Sequence, residues 1–268
     1  MSGAPLSEDD LIARYFAPLA GEGAFALKDD AAQLAPPPGC DLVLTKDALV
    51  AGVHFFADDH WDSVARKALR DNLSDLAAKG AAPVGYLLAL GLPKDFTVEE
   101  IDALGAGLAA DQAIYGISLY GGDTVRSPAG LTLSVTAIGE VREGGMVRRG
   151  GARAGDIIVV TGTIGDAALG LSLRLDPGLS DRLGLSAEHR DHLLDRYLLP
   201  RPRGALASAV TDCASGGMDI SDGLVGDLGK MAAASGVAIQ IDADRVPLSA
   251  ARSEERRVGK SVDLGGRR

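Results

Sequence analysis

Between residues 60 and 79 apolar side chains recur at helical spacing. Val64, Ala65, Ala68, Leu69, Leu73, Leu76 and Ala77 form one stripe, and Gly80 and Pro83 end it. Val98 to Tyr115 predicts a second helix. Around these two, Asp41 to Thr45, Val84 to Leu92 and Leu131 to Val141 read as strands, the last with apolar alternation. At the start, Ser7 with Asp10, ahead of Leu11, Ile12, Tyr15 and Phe16, predicts a capped helix. The order strand, helix, strand, helix, strand predicts an α/β (α+β) domain over residues 1–143.

A Gly- and Arg-rich connection, Gly144-Gly145 and Arg148-Arg149-Gly150-Gly151, then marks a domain boundary. The second domain, 144–251, predicts strands at Asp156 to Thr161, Met218 to Ile220 and Val237 to Ile241. Helices are expected up to Leu175, at Ala187 to Leu198, at Gly204 to Ala214 and from Gly223 to Ser235. From Arg252 onward the composition changes abruptly. Arg252-Ser-Glu-Glu-Arg-Arg-Val-Gly-Lys260 can be encoded by a common sequencing-library adapter, AGA TCG GAA GAG CGT CGT GTA GGG AAA. One base further on, the same adapter encodes Ser261 to Arg268. The expectation is that 252–268 is adapter read-through and that the C-terminal domain is incomplete; a basic, solvated tail is the alternative.

A chain of 268 residues, 46% hydrophobic, has enough apolar surface for a substantial core. Its net charge of -10 argues against a nucleic-acid backbone as partner, which calls for a basic face. An acidic protein that binds phosphates does so locally, through cations and backbone N–H groups. The longest apolar stretches are too short to span a bilayer and the N-terminus has no apolar leader, which predicts a cytoplasmic protein. Cys40 and Cys213 stand in unrelated contexts, so no disulfide framework is expected.

The chemistry-bearing residues are aspartates in short Gly-, Ser- and Thr-rich motifs: Asp29-Asp30, Thr45-Lys46-Asp47, Asn72-Leu73-Ser74-Asp75, Gly121-Gly122-Asp123-Thr124 and Asp219-Ile220-Ser221-Asp222-Gly223. Hard oxygen donors suit Mg²⁺ and phosphate better than zinc or a thiol nucleophile. Each motif has a plainer reading. Asp71 and Asp75, one turn apart, invite a cation, yet Lys67 and Lys79 are spaced to pair with them. Gly121-Gly122 permits close backbone approach to a ligand or, equally, a hairpin turn. Asp219 to Gly223 places two carboxylates and a hydroxyl before a helix start, where capping accounts for one of them. Gly162-Thr163-Ile164-Gly165 reads as a tight strand-to-helix turn more than as a phosphate loop.

Taken together and in order, these motifs carry a resemblance over residues 7 to about 250. Leu11-Ile-Ala-Arg-Tyr-Phe16, Asp29-Asp30-Ala31, Asp47-Ala-Leu-Val-Ala-Gly-Val-His54-Phe55, Asn72 through Pro83, Gly121-Gly-Asp-Thr124, Arg149 through Asp156, Val160-Thr-Gly-Thr163 and Asp219-Ile-Ser-Asp-Gly-Leu224 with Asp227-Leu228 resemble the thiamine-monophosphate kinase family. That family is grouped with the aminoimidazole ribonucleotide and selenophosphate synthetases. The resemblance implies a two-domain fold of that type, paired into a homodimer through the N-terminal domains. It implies phosphorylation of thiamine monophosphate by ATP, with several Mg²⁺ ions. It places Asp30, Thr45, Asp47, Asp75, Asp123, Asp219 and Asp222 on metal positions, and Asp222 is the residue expected to matter most for catalysis. Gly122, Asp123, Arg149 and Ser221 fall on ATP positions, Tyr115 flanks the adenine, and His54 falls on a substrate contact.

Two departures stand out. Lys28 and Lys46 occupy positions where the family pattern has Gly and Thr, so Lys46 is a candidate cation in place of part of a metal's charge. The residues that hold thiamine in the family correspond to positions beyond 251. A related ATP-using ligase, or a non-catalytic nucleotide-binding protein, are the rival readings.

Overall fold

The computed structural model describes residues 7–253. In chain order the elements are α1 (Glu8–Leu11), β1 (Cys40–Val50), α2 (Trp61–Ala78), β2 (Ala82–Leu92), α3 (Val98–Tyr115), β3 (Ser118–Arg126), β4 (Thr132–Arg142), α4 (Asp166–Leu175), α5 (Leu179–Arg182), α6 (Ala187–Leu198), α7 (Ala207–Cys213) and α8 (Leu224–Ser235). The described residues form two compact units, 7–147 with 202–214, and 148–201 with 215–253. Helix α7, expected in the second domain, thus packs with the first unit, where the Thr211 hydroxyl donates to the Gly80 carbonyl at 3.1 Å.

The first unit is a mixed four-stranded sheet, order β1-β4-β2-β3. β4 is antiparallel to β1 and β2, and β2 is parallel to β3 across the α3 crossover. One face of the sheet carries Val43, Leu49, Tyr86, Leu88, Leu90, Leu133, Val135 and Ala137, all buried with the apolar stripes of α2 and α3. Both expected helices lie where their periodicity puts them. The Ser7–Asp10 capping box forms at the start of α1, and a second one, Thr97–Glu100, starts α3. Between the two long helices a buried ion pair locks the packing. Arg70 Nε and Nη2 donate to the two oxygens of Asp111 at 2.6 and 2.8 Å, and Arg66 Nε adds a third bond at 3.1 Å.

The second unit is helical among the described residues. Leu169 and Leu173 of α4 pack on Leu193 of α6 and on Ala251. The three strands expected at 156–161, 218–220 and 237–241 do not form ladders. They carry no strand pairing among the described residues, and Ile157 and Val159 stand 84% and 73% exposed. A strand persists only within a ladder, in which a neighbouring strand takes up successive N–H and C=O groups. Residues 254–268, most of the segment expected to be adapter-derived, lie outside the described residues.

Candidate functional site

In the first unit, β1 and α2 bring three oxygen side chains together. Thr45 Oγ1 donates to Asp75 Oδ2 at 2.5 Å. Asp47, two residues along the same face of β1, has its carboxyl pushed above the usual range, first by burial and then by the charge of Asp75, with His54 opposing. Asp47 and Asp75 therefore share one field. His54 closes a turn after β1: its Nδ1 accepts the Val50 N–H at 3.1 Å, and its carbonyl accepts Lys67 Nζ at 3.1 Å. With Nδ1 an acceptor, a neutral His54 carries its proton on Nε2.

Lys46 sits between Thr45 and Asp47 in sequence but on the opposite face of the sheet, because side chains alternate along a strand. Its Nζ donates to Ser134 Oγ at 2.8 Å. Asp123 shares that open face. The register runs Ala48, Ser134, Ala89, Asp123 across the four strands, so Asp123 lies about 14 Å from β1 at a spacing of about 4.8 Å per strand. Gly121 to Thr124 lie inside β3, which excludes the hairpin turn. A Cβ on Gly122 would come 1.9 Å from the Leu88 carbonyl oxygen, so glycine there allows the two strands to approach. The register slips by one residue at Tyr120, a bulge immediately before these glycines.

Asp30 is exposed on the loop before β1. That loop is entered through Phe25, Ala26 and Leu27, three non-glycine residues with φ of 51°, 56° and 57°. Left-handed backbone of this kind costs about 1–2 kcal/mol per residue. Tyr115, at the end of α3, lies under the Arg70 guanidinium, 5.5 Å from the ring centroid, and packs against the core.

In the second unit, Asp219, Ser221 and Asp222 lie on the loop that leads into α8. Arg149 is exposed on a short turn packed against α8, and its carbonyl accepts the Ser235 hydroxyl at 3.3 Å. The glycines of Gly162 to Gly165 have φ of 97° and 90° and form the tight turn into α4. Its Thr163 hydroxyl donates to Asp166 at 2.5 Å, alongside Ser249 at 2.6 Å and His192 at 3.3 Å. Burial alone would raise Asp166, but these hydrogen bonds outweigh it and hold the carboxyl below its usual range.

Among the described residues no group of three or more His, Cys, Asp or Glu side chains gathers to cage a metal. Mg²⁺ does not require such a cage. It keeps several waters and takes one or two carboxylates plus substrate phosphates, a demand that Thr45, Asp47 and Asp75 fit. Asn72, one turn before Asp75 and fully buried, also has an Oδ1 with no donor among the described residues. Sequence reading missed the anchoring of the acidic loop by Asp227 and the Asp166 hub; the first-turn position of Asp227 was the available signal.

Residues 28–141 match the AIR synthase related protein, N-terminal domain, and 153–263 match its C-terminal domain. The thiamine-monophosphate kinase of Caulobacter vibrioides is 45% identical over 250 residues, 92% of this chain and 69% of that one. The chain belongs to the thiamine-monophosphate kinase family. The crystal structure of thiamine-monophosphate kinase from Stenotrophomonas maltophilia superposes with a TM-score of 0.77 at 41% identity, over 87% of this chain and 74% of that one. AaThiL complexed with AMPPCP and TMP superposes with a TM-score of 0.75 at 33% identity, over 87% and 72%. The family's two-domain α/β fold is thus shared, and the match to the second domain continues past residue 252. Among the described residues no helix is long and apolar enough to cross a membrane.

Proposed function

We propose that this chain transfers the γ-phosphoryl group of ATP to thiamine monophosphate, giving thiamine diphosphate and ADP by direct in-line displacement. The observation that carries the reading is the cluster of Thr45, Asp47 and Asp75, where Thr45 is hydrogen-bonded to Asp75 and the Asp75 charge acts on Asp47, a repulsion that a cation would relieve. The complex of a relative with AMPPCP and TMP supports the choice of substrates.

Asp30, Thr45, Asp47, Asp75 and Asp123 in the first unit, and Asp219 and Asp222 in the second, are the proposed Mg²⁺-holding positions. Gly122, Asp123, Arg149, Ser221 and Tyr115 are proposed to serve ATP, and His54 the substrate. Mg²⁺ on these oxygens supplies charge neutralisation between two polyanions and alignment of the transferred group. The chain's own part is positioning. Thr45 fixes the rotamer of Asp75 through its hydroxyl, β1 and α2 hold both against a packed core, and the exposed His54 is oriented by the Val50 N–H at its Nδ1. A phosphate monoester has a second pKa near ~6, so the attacking oxygen is anionic at neutral pH and needs no side-chain base. Lys46 lies on the open face with Asp123, opposite Thr45 and Asp47, and its ammonium is held there by Ser134.

The open face of the sheet supports a homodimer. Leu44, Leu87 and Val125 stand 65%, 41% and 55% exposed on it, and no described element covers them. The deciding experiment follows ADP release with ATP and Mg²⁺, with and without thiamine monophosphate. ADP that appears only with thiamine monophosphate supports the kinase. ADP release independent of it, or bound ATP left intact, favours a related ligase or a non-catalytic binder.

A further inference from the structure

Asp227 is a carboxylate only 1% exposed, on the first turn of α8. Its Oδ2 accepts the backbone N–H groups of both Ser221 and Asp222 at 2.9 Å, and its Oδ1 accepts Lys230 Nζ at 2.9 Å. Gly223 stands at the N-cap of α8 and has no side chain to cap with, so Asp227 reaches back past it to the preceding loop. These bonds curl residues 221–223 over the helix start and leave the Asp222 side chain 69% exposed. Lys230 also pairs with Asp222, so one ammonium bridges a buried and an exposed carboxylate.

We propose that Asp227 is a positioning residue for the acidic loop 219–223, and that Lys230 is the loop's resident counter-cation, holding Asp222 and competing with Mg²⁺ for it. The second half rests on the metal role proposed for Asp222. A cation that binds Asp222 must displace the ammonium and sit close to its charge, so removing Lys230 favours the metal. Removing the charge of Asp227 does the reverse, because it frees the loop and leaves Lys230 to Asp222 alone. A purely structural role for both residues predicts no such opposition. Each variant would then lower the melting temperature and leave metal affinity alone.

The test uses the full chain with Asp227→Asn and Lys230→Met, well below their melting temperatures. Amide hydrogen exchange is followed at Ser221 and Asp222 in the metal-free protein, and Mg²⁺ affinity is measured by calorimetry with a non-hydrolysable ATP analogue. Asp227→Asn is expected to speed exchange at both amides and weaken Mg²⁺ binding. Lys230→Met is expected to leave the amides protected and tighten Mg²⁺ by about two- to fivefold, the scale of an exposed ion pair. Unchanged exchange in Asp227→Asn overturns the positioning role. Mg²⁺ affinities that move together in the two variants overturn the competition. If the unsubstituted chain binds no Mg²⁺ with the analogue, the proposed function fails and the Lys230 half falls with it, while the exchange measurement still decides Asp227.

Discussion

A raised carboxyl pKa has a definite sign in stability. Asp47 sits above its ordinary 3.8 because of burial first and Asp75 second. Its protonated form is therefore favoured by folding, and the contribution is lost as pH rises through the folded value. At neutral pH the ionised group is a net cost to the metal-free protein. Asp47→Asn should raise the melting temperature of the metal-free chain at neutral pH and abolish the further rise that Mg²⁺ gives the parent. A lower melting temperature without metal would mean the carboxylate makes a stabilising contact instead. Asp75→Asn differs, since the amide oxygen can still accept from Thr45. It should cut phosphoryl transfer by orders of magnitude with little change in melting, and normal turnover at saturating Mg²⁺ would make Asp75 structural. Motif reading grouped Thr45, Lys46 and Asp47. Strand alternation divides them, but the strand expected from the sequence stops at Thr45, and only the observed β1, Cys40–Val50, carries Lys46 and Asp47.

At the level of elements, the ion pair between α2 and α3 carries weight that periodicity alone does not show. Asp111 is fully buried and faces two arginines. Asp111→Ala would strand a buried Arg70 charge at a cost of about 3–5 kcal/mol, measurable by urea unfolding; a loss under about 1 kcal/mol would show that water reaches the guanidinium. In the second unit Asp166 is held below 3.8, so its contribution is present above the unfolded value and lost as pH falls through the folded one. Ser249→Ala removes one of its three side-chain donors. Exchange in α4, followed from about pH 5 toward about pH 2, should loosen at a higher pH in the variant. An unchanged acid transition would leave Thr163 and His192 sufficient. Helices were legible because their signals are local: the Ser7–Asp10 box and the spacing of Val64, Ala65, Ala68 and Leu69 need no distant partner to take effect. The expected strands at 156–161 and 237–241 were not, since apolar alternation states a preference while a ladder needs a neighbour.

At the scale of the molecule, the sheet has one face in a core and one without a cover among the described residues. Its four strands, about 4.8 Å apart and about 35 Å long, present roughly 700 Å², near the ~800 Å² per partner of a standard interface. A polar open face would be the expected pattern for a sheet meant to stay solvated. Leu44, Leu87 and Val125 contradict that pattern, and β1 and β3 place two of them on opposite edges of the face. A second copy of this chain is the occupant the family resemblance also implies. Leu87→Glu, on the central strand β2, would bury a charge in such an interface and should convert a dimer to a monomer in sedimentation equilibrium, with the fold kept because the side chain already faces out. Ile157→Glu is the matched control, an exposed apolar residue on the second unit. If Leu87→Glu leaves the mass of a dimer unchanged while Ile157→Glu halves it, the pairing runs through the second unit and the sheet face has no role in assembly.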